Sequence, residues 1–119
     1  MPKMIKFKFE ELEVWDLSLE LIDDVYLLLD KYPDDERFDL ARQGRKSVTS
    51  ISLNIAEGSI RSKKEFSHFI RIALGFLVET VANLKVGIKR KYITHEDLDS
   101  VKSIEPLYFK LIKLRKSLK

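Results

Sequence analysis

Several side chains in this sequence stand at spacings that chemistry could use, and each has a plainer use to be weighed against it. Glu65 and His68 form Glu-x-x-His, the i, i+3 spacing with which one helix offers two ligands to a di-iron bundle site. Such a site needs a second pair and two further glutamates. His95 is the only other histidine, and Tyr92 stands where its paired glutamate would be, so His68 reads as a surface residue with no metal and no cofactor implied. Two histidines would also have to serve any Ser-His-Asp scheme, and neither adjoins a strand-turn-helix elbow. The four glycines are isolated, which removes phosphate-cradling loops. The absence of cysteine removes thiolate nucleophiles, disulfides and Cys-ligated metal centres. Glu57 and Glu79 could act as acid and base, but any helical bundle offers such carboxylate pairs by accident. No catalytic residue is assigned, and the chain reads as a non-enzyme.

Polar and basic residues carry more. Ser47, Ser50, Asn54 and Glu57 follow one another at 3, 4, 3 spacing beside an apolar stripe, a row that can be half buried. A buried hydrogen bond left unmade costs roughly 1 to 3 kcal/mol, so partners are expected from Arg45 and from the backbone amides after Gly58. Asn54, Glu57, Gly58, Ser62 and Glu65 together read as a structural polar corner. Arg42, Arg45 and Lys46 share an exposed side of one helix with Thr49, and Arg61, Lys63, Lys64 and Arg71 surround the start of the next. These seven are the candidate nucleic-acid-binding residues, because clustered Lys and Arg neutralise phosphates without reading base sequence. Lys85 to Lys91 and Lys110 to Lys119 supply further cations at helix ends, where the helix dipole is explanation enough.

The elements that position these groups follow from apolar spacing. In the first helix, about 10–32, Leu12, Trp15, Leu19, Ile22, Tyr26 and Leu29 form one stripe, and Val14, Leu17, Leu21, Val25 and Leu28 lie beside it. Leu40, Gly44, Val48, Ile51 and Ile55 mark the inward face of a second helix, about 38–57, which Gly58 ends as a C′ glycine can. Ser62 and Glu65 fit a capping box that opens a third helix, about 63–91, in which close packing accounts for Gly75 and Gly87. Thr94 caps a fourth, about 95–118, with a kink or break expected around Lys102 to Pro106. The fold class is all-α: an antiparallel up-and-down four-helix bundle forming a single domain over 1–119. Apolar surface beyond what such a bundle buries, on the first and third helices, predicts self-association.

Charge is unevenly divided. Residues 1–60 hold 8 Lys or Arg against 13 Asp or Glu, and residues 61–119 hold 14 against 6, summing to the net +3 of the 119-residue chain. No signal-peptide run precedes Glu10, and the longest apolar runs fall far short of the roughly 20 residues needed to span a bilayer. A soluble, cytoplasmic protein without a membrane partner is expected.

FEELEVW at Phe9 to Trp15, NIAEG at Asn54 to Gly58 and RSKKEF at Arg61 to Phe66, in this order and spacing, resemble the four-helix-bundle proteins of the 23S rRNA intervening-sequence family. The resemblance covers about Phe7 to Ile93, and the last helix matches by pattern only. It implies a bacterial, homopentameric barrel without enzymatic activity. A related branch, the accessory variability determinant proteins of diversity-generating retroelements, implies by analogy RNA or DNA and a reverse transcriptase or other protein as partners. The family commonly has Ile-Pro-Ser before NIAEG, whereas here Ser52 and Leu53 occupy the second and third of those places. The functional expectation is a nonspecific nucleic-acid-binding or ribonucleoprotein accessory protein. The alternative is a protein-interaction scaffold whose partner contacts the acidic face of Asp16, Glu20, Asp23, Asp24 and Asp30.

Overall fold

The computed structural model describes residues 5–119; residues 1–4, included in the 1–119 domain range, lie outside the described residues. Every regular element among the described residues is helical. A 3-10 turn, Lys8–Glu11, leads into α1 (Glu13–Leu29), and a second, Asp34–Glu36, into α2 (Leu40–Ser59). Then come α3 (Lys63–Lys89), the short α4 (His95–Asp99) and α5 (Ile104–Ser117). One hydrophobic core is shared by α1, α2, α3 and α5: α2 packs on α1 and on α3, and α5 packs on both α1 and α3. Among the described residues no helix is long and apolar enough to cross a membrane.

Of the two apolar stripes on α1, the structure buries the second. Val14, Leu21, Val25 and Leu28 are in the core with Ser18 and Leu29, while Leu19 and Tyr26 are exposed. One residue buried along this stripe is polar. The Ser18 hydroxyl donates to the Trp15 carbonyl at 2.6 Å and accepts from the Ser52 hydroxyl of α2 at 2.9 Å, so it enters the core with its hydrogen bonds made. On α2 the inward face runs through Gly44, Val48, Ile51 and Ile55, as the 4, 3, 4 rhythm requires.

Gly58 does not terminate α2. The helix passes through it to Ser59 with Ile60 as its cap residue, and no glycine has positive φ. A Cβ at Gly58 would lie 2.6 Å from the Cβ of Phe69 and 2.8 Å from Phe66 Cδ1, so glycine is there to let α3 approach. Gly87 does the same for the Tyr32 ring, whereas a Cβ at the exposed Gly75 would meet nothing within 4 Å. Close packing therefore explains Gly87 and not Gly75.

Helix α3 rises on the order of 40 Å at 1.5 Å per residue. The Ser62 capping box is formed: the Glu65 amide donates to Ser62 Oγ at 3.2 Å and the Ser62 amide donates to Glu65 Oε1 at 3.3 Å. The helix ends two residues before the expected Lys91, which is itself the one described residue with positive φ, 67°. The Lys91 amide donates to the Ile88 carbonyl and the Tyr92 amide to the Gly87 carbonyl, a Schellman closure built on lysine where glycine is usual.

The fourth helix of the sequence reading is two pieces. After α4, capped by Thr94 and Asp97, the chain turns over 100–103 and restarts as α5. Pro106 is the third residue of α5, within the first turn, where an amide has no intrahelical acceptor to lose. The break accordingly falls before the proline, and the proline fits the new helix.

Candidate nucleic-acid interface

The seven candidate cations do not form one patch. Arg42 and Lys46 lie exposed one turn apart near the start of α2, and the Arg45 guanidinium is turned to donate to the Arg37 carbonyl at 2.8 Å, closing the preceding loop. Arg61, Lys63 and Lys64 come after the far end of α2, on the order of 25 Å away along its axis. Arg61 is itself engaged: it pairs with Glu57 at 3.1 Å and Glu65 at 3.8 Å and lies 5.5 Å over the Phe69 ring. The Ser62 hydrogen bonds, helped by the Arg61 charge, hold the Glu65 carboxyl below its ordinary range. Arg71 Nη2 lies 3.3 Å from His68 Nδ1.

The end of α5 forms a cleft beside this stretch of α3, and none of the seven candidate cations lines it. Ser67 and Leu74 of α3 and Ile112, Arg115, Lys116 and Lys119 line one cleft of about 280 Å³. Lys63, Lys64 and Arg71 stand one turn to either side of Ser67, on the same side of α3. Three cations at the end of α5 thus line a cleft with Leu74 and Ile112, and the three of α3 stand a turn from Ser67, near the positive end of the α3 dipole. None of Lys63, Lys64, Arg71, Arg115, Lys116 or Lys119 is in an ion pair among the described residues. The chemistry such a cleft offers is positive charge beside apolar side chains, which suits an anion.

Arg115, Lys116 and Lys119 were missing from the sequence-derived site because each has a sufficient local use at a helix C-terminus. The signal that could have found them was the connectivity. The structure sets the end of α5 against Ser67, one turn from Lys63 and Lys64 at the start of α3.

The polar corner is simpler than the sequence reading had it. Ser50 and Asn54 donate back along α2, to the Lys46 and Ser50 carbonyls at 2.7 Å each, and neither engages Arg45 or the amides after Gly58. Glu57 serves Arg61. Only Ser47 crosses to α3, its hydroxyl 2.8 Å from that of Thr80. Besides this buried Ser47–Thr80 pair, connected buried polar groups lie at Ser18 with Ser52 and in a chain from Tyr32 through Asn83 to the Leu40 carbonyl. Burial, with Glu36 and Tyr92 nearby, pushes the Tyr32 phenol up to about 12. A long-range hydrogen bond from Tyr92 to Glu36 closes the same end of the molecule, at 2.8 Å. Among the described residues no group of three or more His, Asp or Glu is arranged to hold a metal ion.

A family model described as 23S rRNA-intervening sequence protein matches residues 10–113. That span takes in α1 through most of α5, including Arg61 to Arg71 but ending just short of Arg115. A search of curated proteins gives no match.

Proposed function

This chain belongs to the 23S rRNA-intervening sequence protein family, and from that premise we propose that it is a non-enzymatic, self-associating cytoplasmic protein that binds nucleic acid by its phosphates, as an accessory to RNA or to a ribonucleoprotein. The observation that carries the reading is the cleft between α3 and α5, where Arg115, Lys116 and Lys119 line the wall, while Lys63, Lys64 and Arg71 stand a turn to either side of its Ser67 and none of the six is in an ion pair among the described residues. Six unpaired cations in so small an area repel one another, and a polyanion relieves that repulsion while releasing its own counterions.

We read the fold as an antiparallel up-and-down four-helix bundle. The residues that meet support this: along α2 and α3, Gly44 lies at Asn83, Ser47 at Thr80 and Gly58 at Phe69, so one number rises as the other falls. The family resemblance favours a homopentamer. Copies arranged in a ring repeat the basic cleft, which turns a weak footprint into a multivalent one. A protein partner such as a reverse transcriptase belongs to the same reading and would meet the nucleic acid already held.

The test is binding of a single-stranded and a duplex RNA at about 50 mM salt, followed by titration to about 200 mM, over which about six phosphate contacts cost roughly two to three decades of affinity. Absence of binding at low salt would exclude the proposal.

A further inference from the structure

The outward side of α1 is at once apolar and acidic. Leu19, Tyr26 and Leu27 are exposed on it, Leu27 to 66 %. At 3.6 residues per turn, Asp16, Glu20, Asp23 and Asp30 fall on the same side, and the sequence from Glu13 to Asp30 contains no lysine or arginine at all. None of those four acids is in an ion pair among the described residues.

Its complement is on the same chain. Between α3 and α5 runs an apolar groove of about 560 Å³ whose lining includes Val78, Ala82, Ile104, Tyr108 and Phe109. Val78 and Phe109 are 58 % and 61 % exposed, so this surface too lacks a cover. Lys85 lines the groove, and Arg71 and Lys89 lie on the same side of α3 as Val78. Glu105 of α5 is the one acid in the lining, and Glu79, the acid of mid-α3, falls on a different side of that helix from Val78.

We infer that the occupant of the α3–α5 groove is the acidic outer face of α1 from a second copy of this chain, with Leu19 and Leu27 seated on Val78 and Phe109 and Asp23 and Asp30 facing Lys85 and Lys89. This rests on the self-association in the reading above and adds the two faces that meet. The contact is head-to-tail. Pairing two α1 faces would set acid against acid, and pairing two grooves would set Lys85 and Lys89 against their own kind. A contact between unlike faces leaves each copy with one of each still open, so it propagates until a ring closes.

The experiment uses light scattering on the full chain and two double variants of exposed residues, Leu19→Glu with Leu27→Glu on α1 and Val78→Glu with Phe109→Glu in the groove. Circular dichroism checks that each is folded, and Leu27→Ser and Phe109→Ser stand in if either is not. The wild type has the mass of several chains, each variant alone falls to the mass of one, and an equimolar mixture of the two recovers the mass of two chains and goes no further. That stop at two is peculiar to head-to-tail docking, since the mixture offers one intact α1 face to one intact groove. If either variant keeps the wild-type mass, the assigned faces are wrong while self-association stands. If both dissociate but the mixture stays at one chain, the pairing of unlike faces is wrong. A wild type of one chain throughout would overturn the self-association reading itself.

Discussion

Ser18 and Ser52 form a buried hydroxyl pair whose removal should be asymmetric. The Ser52 hydroxyl donates to Ser18 Oγ at 2.9 Å, and Ser18 donates onward to the Trp15 carbonyl at 2.6 Å. Both residues are almost inaccessible, at 0 % and 3 %. Ser18→Ala takes the acceptor from a buried donor and the second hydrogen bond from Trp15, so it should cost about 2 kcal/mol, within the roughly 1 to 3 kcal/mol of an orphaned polar group. Ser52→Ala leaves Ser18 still donating to Trp15 and removes only an acceptor's partner, so about 1 kcal/mol or less is expected. The double variant should be less destabilised than the sum of the two by about 1 kcal/mol, because no donor is then left unpaired. Urea unfolding followed by circular dichroism at one fixed protein concentration measures all four corners of the cycle without confounding them by assembly. If Ser52→Ala costs as much as Ser18→Ala, or the two add, the directed chain from Ser52 to Ser18 to Trp15 is not what holds α1 to α2.

Other perturbations test the remaining assignments. Gly75→Ala should raise stability by about 0.5 to 1 kcal/mol, as for an exposed helical glycine with open space, while Gly87→Ala should lower it because its Cβ collides with the Tyr32 ring; thermal melts of the two should shift in opposite directions. Lys91→Gly should stabilise by about 1 kcal/mol by relieving the left-handed backbone at φ 67°, seen as a higher urea midpoint. Tyr32 is held neutral by the fold, from an ordinary 10.0 to about 12, so its stabilising effect is complete below pH 10 and is lost as pH rises through 12. Ultraviolet titration should therefore show one tyrosine ionising late, and Tyr32→Phe should remove that late step while losing the hydrogen bond to Asn83 at neutral pH.

The helices themselves were legible because their signals are local and redundant. Ser62 with Glu65 names a helix start, and Gly44, Val48, Ile51 and Ile55 name an inward face, whatever surrounds them. The choice of face on α1 was not legible from apolar spacing: two stripes were similarly apolar, and the buried one carries a serine whose partner lies 34 residues away. Gly58 misled for a related reason. A glycine near a helix end suggests a left-handed cap, but its use depends on Phe66 and Phe69 of a helix that has not yet been packed against it. Pro106 announced a break correctly, and its position within the first turn of α5 followed only once 100–103 was seen to turn. At the candidate site the cations of α3 were found from composition, while those of α5 emerged when the cleft brought Arg115, Lys116 and Lys119 against Ser67.

The proposed role rests on cations that act together at the α3–α5 cleft, and the salt dependence of RNA binding counts them. Affinity for a short single-stranded RNA should be measured by fluorescence anisotropy from about 50 to 200 mM salt for the wild type, for Arg115→Ala with Lys116→Ala, and for Arg42→Ala with Lys46→Ala. Each phosphate contact contributes about −0.7 to the slope of log K against log salt on a single strand, so losing Arg115 and Lys116 should flatten the slope by about 1.4. The Arg42 and Lys46 pair, at the far end of α2, should leave the slope at its wild-type value. An unchanged slope for the cleft variant, with a flattened one for Arg42 and Lys46, would contradict the account.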